Sequence, residues 1–389
     1  MLKTFDEVVL FARTGLNPRQ NFKLGQGNNN YITIKNIKNN TLVVDDNTDV
    51  VDDEAIKLIH KRSQIKKGDI LFASIGRIGD MYIIEAEPDG WDINESVFAF
   101  TLDTSIVRQK YFYYIFRIKT TLDYLASNSS GSTFKSIKMN QLKKMMFDIP
   151  TLEEQDKIIA TLDRVCNVIE MRKQELRSLD EFIKARFVEM FGDPVHNPYG
   201  WNKPELKEIA DLKIGPFGSL IHKEDYVEGG HALVNPSHIV DGRIIIDSKL
   251  TVSEDKYEEL SAYHLKVGDV VMGRRGEMGR CAVVEEEGLL CGTGSLLIRP
   301  KGKVTADYIQ NIISYPTFKK TIEDMAVGQT MPNLNVPIVS GFRIITPPIE
   351  VQNSYYDFVA QVDKSKVAVQ KALDETQLLF DSLMQKYFG

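Results

Sequence analysis

The chain has 389 residues, long enough for two or more domains that each bury a core. With 43% hydrophobic and 26% charged residues, its composition excludes a disordered or fibrous protein. Its 48 basic and 54 acidic side chains give −6, which excludes a coat of positive charge but not local basic patches.

From the start, Asp6 and Glu7 spoil the first fifteen residues as a signal peptide, and no later apolar run approaches the ~18 residues of a membrane span. Cys166, Cys281 and Cys291 form no CxxC pair and fit a reducing, cytoplasmic setting. Residues 1–150 read as mixed α and β. Ile70–Ala73 and Met81–Ile84 are short strands around the turn Gly76-Arg77-Ile78-Gly79, and Tyr111–Leu125 is a helix. Within 104–147, eight basic residues (Arg108, Lys110, Arg117, Lys119, Lys135, Lys138, Lys143, Lys144) face only Asp123, which suits an anion-facing surface.

After Pro150, Thr151 and Glu154 have capping-box spacing. No Gly or Pro then occurs before Gly192, so a helix of about 58 Å is expected at ~1.5 Å per residue. Its apolar residues step by three and four through Ile158, Leu162, Val165, Ile169, Leu176, Leu179, Ile183 and Met190. That is a coiled-coil seam, interrupted by Arg172 and Arg186. Gly192–Gly200 is a turn-rich junction. The region 193–347 again reads as mixed, with strands Val270–Met272 and Cys281–Val284 and a helix Tyr308–Met325. A last helix carries the seam Tyr355, Val359, Val362, Val369, Leu373, Phe380, Leu383 and Tyr387.

These halves are one module written twice. IKKGDILFASIGRIGD (65–80) becomes LKVGDVVMGRRGEMGR (265–280) at an offset of 200. GSTFKSI (131–137) becomes GQTMPNL (328–334), FDIPTLEEQ (147–155) becomes IITPPIEVQ (344–352), and Phe191-Gly192 becomes Phe388-Gly389, all at 197. Ordered blocks recurring at a period far longer than a solenoid unit indicate a duplicated domain-plus-helix.

No catalytic apparatus is recognisable. Asn197-Pro198-Tyr199 and Asn235-Pro236-Ser237 lack the second proline of an adenine methyltransferase loop, and Gly25-Gln26-Gly27 lacks the strand and helix of a cofactor loop. The six histidines show no zinc spacing, and neither GxSxG nor GxxxxGK[ST] occurs. Each Gly-x-x-Gly is readable either as a tight turn or as a phosphate-facing loop. An autonomous DNA enzyme with an unfamiliar site and a tandem structural adaptor remain open on residues alone.

Taken together, KKGDILFASIGRIGD with KVGDVVMGRRGEMGR, GSTFKSI with GQTMPNL, and IPTLEEQ with PPIEVQ give the chain a strong resemblance to the specificity subunit of type I restriction–modification systems. The resemblance implies a mixed α+β fold of two similar target recognition domains, 1–150 and 193–347. Two long helices, 151–192 and 348–389, would separate them as an antiparallel coiled coil in a pseudo-twofold internal repeat. It further implies that each domain binds half of a bipartite, asymmetric site in double-stranded DNA while the helices set the spacer and dock two methyltransferase subunits, to which restriction translocase subunits are added. S-adenosylmethionine, ATP and Mg would be bound by those partners, and no cofactor or catalytic residue by this chain. The recurring turns then supply the candidate DNA face. In the first domain it comprises Arg19, Lys35, Asn36, Ser74, Arg77, Thr133, Lys135 and Lys138. In the second it comprises Ser219, Ser237, His238, Arg274, Arg275, Gln329 and Thr330.

Overall fold

A computed structural model of the chain describes residues 1–38, 41–131, 134–217, 220–326 and 333–389. It forms two compact units, Met1–Gln174 with Gln370–Gly389, and Glu175–Val369. In the first, strands Val9–Thr14, Val97–Leu102, Ile70–Ala73 and Met81–Ile83 lie side by side in that order as an antiparallel sheet. A smaller sheet places Asn29–Ile32 between Val50–Val51 and Trp91–Ile93, with the latter pair parallel. The second unit repeats the plan with Ala210–Ile214, Ser295–Pro300, Val270–Gly273 and Cys281–Val283. Its parallel pair is His231–Val234 with Leu290–Cys291.

The apolar run Ile70–Ala73 does not alternate with polar residues because both faces of its sheet are covered. Ile70 and Phe72 join Phe5, Phe100 and Phe112 in one core, whereas Leu71 joins Ile32, Ile93 and Ala99 in another. The Gly-Asp pair ahead of each strand is structural. Gly68 and Gly268 adopt φ of 86° and 85°. The Asp69 carboxylate then accepts Lys66 N at 3.1 Å and meets Arg13 at 2.8 Å. Asp269 accepts Lys266 N at 2.8 Å and meets Arg299 at 2.6 Å. The arginine has moved to the neighbouring strand, so the ion pair recurs in space but not at the same sequence position.

Two expected helices are each divided. Gln109–Ile115 is followed by Lys119–Ser127, and Ala306–Ser314 by Pro316–Ala326. In the second copy Pro316 holds Tyr315 in an extended conformation. The first copy has no proline there. Instead Phe116 is buried against Phe72, Phe112 and Phe147, and Ile118 (φ −78°, ψ 149°) begins a new helix.

Each long helix has 40 residues, Leu152–Phe191 and Ile349–Phe388. The first starts on the expected capping box, with Thr151 N donating to Glu154 Oε2 at 3.1 Å and Glu154 N to Thr151 Oγ1 at 3.3 Å. In the first unit its early residues Leu162 and Ile169 pack with the late residues Phe380 and Met384 of the second helix. In the other unit its late residues Ile183 and Phe187 pack with the early Tyr355 and Val359. Early against late is antiparallel pairing. Of the interruptions, Arg186 lies over the Phe358 ring and donates to Glu189 Oε2 at 2.7 Å, and on the second helix the polar Lys366 pairs with Asp180 at 2.7 Å.

Buried glutamines fasten helix to domain. Gln155 accepts Arg108 N at 2.8 Å and donates to Ile106 O and Pro150 O. Gln352 does the same for Thr305 N, Lys303 O and Pro347 O. The repeated Phe-Gly has an equally plain role. Phe388 packs on Tyr111 at 5.2 Å in the first unit, as Phe191 packs on the equivalent Tyr308 at 5.1 Å in the second. All three cysteines are free thiols, and burial pushes Cys281 and Cys291 up to about 12. Among the described residues no helix is long and apolar enough to cross a membrane, and no His, Cys, Asp and Glu cluster could hold a metal.

Candidate nucleic-acid interface

The recurring turns meet at one edge of each globular region. In the first copy Gly76 N donates to Lys135 O at 3.0 Å and Ile137 N to Ser74 O at 2.9 Å, joining the Gly-x-x-Gly turn to the 134–137 loop. Arg77 Nη2 donates to Ile37 O, which brings in the loop 33–38. The second copy repeats these links. Leu334 N donates to Arg274 O at 3.0 Å, and Arg280 Nη1 to Pro236 O at 3.2 Å. Each edge is therefore three loops held together by backbone and guanidinium hydrogen bonds. Both glycines of each turn have positive φ, 71° and 95° in the first copy and 81° and 75° in the second. A side chain at Gly279 would strike Ile313 O at 2.9 Å, so the turn itself requires glycine there.

At these edges the expected DNA-facing residues divide into outward and inward ones. Lys35, Lys135, Lys138 and Arg275 are exposed and form no ion pair with another described residue, and Ser237 is exposed as well. Arg19 is also exposed, but on a separate turn at 18–22 with φ 21°. Three expectations are corrected by burial. Asn36 is 7% exposed, and its amide donates to Val43 O and Thr48 Oγ1 while accepting Thr33 N. Ser74 is 3% exposed, with its hydroxyl given to Ser96 O. His238 is 7% exposed, with Nδ1 2.8 Å from Leu233 O. These side chains shape the loops from within and do not face outward.

Two arginines are held in place rather than unpaired. Arg77 sits 2.8 Å from Asp80. Arg274 donates to Leu334 O at 2.8 Å and Asn333 Oδ1 at 3.3 Å, and burial with the neighbouring Arg275 charge lowers its pKa. Thr133, Ser219, Gln329 and Thr330 lie outside the described residues. The basic stretch 104–147 is not one anion-facing surface either. Arg108 and Lys110 pair with Asp156 and Asp163 of the first long helix, Lys143 with Asp6, and Arg117 donates to Tyr113 Oη.

The sequence reading missed Phe134 and Phe217, which are 70% and 68% exposed on Gly- and Ser-containing loops. An aromatic residue set among turn formers, with no apolar period around it, was the available signal.

The comparisons with known proteins agree with this duplicated plan. The sequence profile described as "Type I restriction modification DNA specificity domain" matches residues 2–181 and again 198–376. The type I restriction enzyme MjaIX specificity subunit of Methanocaldococcus jannaschii is 24% identical over 300 residues, spanning 72% of this chain and 68% of the relative. Among solved structures, a chain from a study of complex assembly and conformational transition of the type I R-M system superposes with a TM-score of 0.64 at 17% identity. The match covers 99% of this chain and 96% of that one. The S subunit of the type I restriction–modification system from M. genitalium gives a TM-score of 0.55 at 15% identity, over 100% and 96%. With both halves matched by one profile and the fold shared along the whole length, the chain belongs to the type I restriction–modification DNA specificity family.

Proposed function

We propose that this chain is the specificity subunit of a type I restriction–modification enzyme, reading one half of a bipartite DNA site with each of the domains 1–150 and 193–347. The observation that carries this reading is the three-loop edge built twice on one fold with different outward side chains. Lys35, Phe134, Lys135 and Lys138 stand on the first edge, Ser237 and Arg275 on the second. Direct readout depends on which donors and acceptors meet the base edges, so diverged tips on a repeated scaffold suit two different half-sites. The lysines suit phosphate contact, which supplies affinity and register.

The helices 151–192 and 348–389 set the spacer between half-sites and dock two methyltransferase subunits, to which restriction translocase subunits are added. Met171, Val367 and Leu378, exposed on these helices at 71%, 70% and 67%, leave apolar side chains available for such docking. The methyl transfer and cleavage chemistry belongs to those partners, and recognition to this chain.

The test is to assemble the chain with the modification subunits of its own system and map the adenines they methylate. A two-part sequence with a fixed gap, lost when this chain is omitted, is expected. Methylation that is random, or that persists unchanged without the chain, would refute the assignment.

A further inference from the structure

We infer that Arg77 and Arg280 are positioning residues, one staple inserted from opposite ends of the Gly-x-x-Gly turn to hold each three-loop edge in its reading shape. The inference rests on the DNA-reading assignment above. In the first copy the arginine follows the first glycine and the acid follows the last. Arg77 Nε lies 2.8 Å from Asp80 Oδ2, and Nη2 donates to Ile37 O. In the second copy the two have changed places. Glu277 follows the first glycine and Arg280 the last, with Arg280 Nη2 2.9 Å from Glu277 Oε2 and Nη1 donating to Pro236 O at 3.2 Å. The carbonyls reached lie in the segment after the parallel strand, Ile37 at the short strand Ile37–Lys38 that follows Asn29–Ile32 and Pro236 on the turn Pro236–His238 that follows His231–Val234.

Sequence order has reversed, yet the guanidinium still reaches a carbonyl of the same neighbouring segment. A phosphate contact offers no reason for this, because a carboxylate within 3 Å repels the phosphate and takes up N–H groups of the fork. A loop clasp does offer one. The carboxylate orients the guanidinium, and the guanidinium pins the neighbouring loop from whichever end of the turn it starts. In the second copy Glu277 also accepts Lys319 Nζ at 2.7 Å, which ties the turn to the helix Pro316–Ala326, and these cations hold its pKa down at about 2. Contact with DNA then falls to the outward cations Lys35, Lys135, Lys138 and Arg275.

The test uses the full chain assembled with its modification subunits, bound across a salt series to duplexes carrying both half-sites, only the first, or only the second. Arg77→Ala is expected to reduce discrimination at the first half-site roughly tenfold, to spare the second, and to leave the salt slope unchanged. Arg280→Ala should do the converse. Arg77→Glu with Asp80→Arg, which copies the order of the second turn, should recover most of the lost discrimination. Because the paired variant has the same charge inventory as the wild type, its recovery also shows that the domain folds.

A uniform loss of affinity in Arg77→Ala with a slope shallower by about one would make Arg77 a phosphate contact and overturn the inference. Unchanged discrimination in Arg77→Ala, or a paired variant no better than the single one, would overturn it too. If the wild-type complex prefers neither half-site, the DNA-reading assignment fails and the inference with it, a result that the wild-type control separates from the rest.

Discussion

Polar residues that recur between the copies do two different jobs, and burial tells them apart. Gln155 is fully buried and serves Arg108 N, Ile106 O and Pro150 O, so Gln155→Ala leaves three backbone groups without their partner. A loss of about 1–3 kcal/mol is expected in a urea titration of the full chain, with Gln352→Ala similar. Lys138 is exposed and without an ion pair among the described residues, and there the expectation is reversed. Lys138→Ala should leave stability within ~0.5 kcal/mol, weaken binding to all DNA sequences about equally, and make the salt slope shallower by roughly one. His231 introduces a pH dependence. Its Nε2 bonds Glu254 at 2.8 Å and its ring stacks on Tyr257 at 3.8 Å, while Nδ1 lies 3.0 Å from Gly288 O. The Glu254 bond foremost, helped by Gly288 O and the Glu258 charge, raises its pKa above the ordinary 6.5. A folded value above the unfolded one stabilises fully below the unfolded value and is lost as pH rises through the folded one. Thermal stability should therefore decline slightly as pH rises from 6.5, by less than about 1 kcal/mol because Glu254 is exposed. Glu254→Gln should flatten that decline in melting curves recorded across the range.

Among the elements, the helices were the most legible and their interruptions the least. Apolar spacing with a capping box at Thr151 places the first long helix to within a residue, because a helix without Gly or Pro that presents one apolar stripe has few alternatives. The break at 116–118 could not be read, because nothing local forces it. Phe116 turns inward to complete an aromatic cluster, and the helix yields to packing. In the second copy the same break was marked by Pro316. The paired long helices carry a prediction of their own. Four residues inserted after Lys173 make a stutter that shifts the seam out of phase. Methylation mapping should then show a changed spacer or no activity, with surviving half-site preferences unaltered. An unchanged spacer with full activity would show that the helix is not the ruler.

For the whole molecule the duplication is the governing fact. One four-stranded sheet order, one parallel strand pair and one loop edge occur twice, and each compact unit takes one globular region with part of both long helices. The fastenings between globular region and helix, Gln155 and Gln352, also come in equivalent pairs. Exchange of residues 1–150 for the first domain of another family member should accordingly change one half-site in methylation mapping and keep the other. If both changed, the two readers would not be independent.

Sequence alone determined the duplication, the order of domain and helix, the apolar seam of each long helix and the family resemblance. Each of these is written in spacing, and spacing survives the divergence of individual side chains. It also located the turns that meet at the two edges, because strand–turn–strand geometry requires glycine at set positions. Which polar residues of those turns face outward was decided only by the tertiary structure. Asn36, Ser74 and His238 lie inside because neighbouring loops offer them hydrogen-bond partners from distant parts of the chain. The basic stretch was divided in the same way, since Asp156 and Asp163 stand one helix away from Arg108 and Lys110. The exchanged places of arginine and acid across the two turns read in sequence as divergence. Only the tertiary structure brings both guanidinium groups to the same neighbouring segment, because a clasp is defined by the two segments it joins and not by the order of its residues.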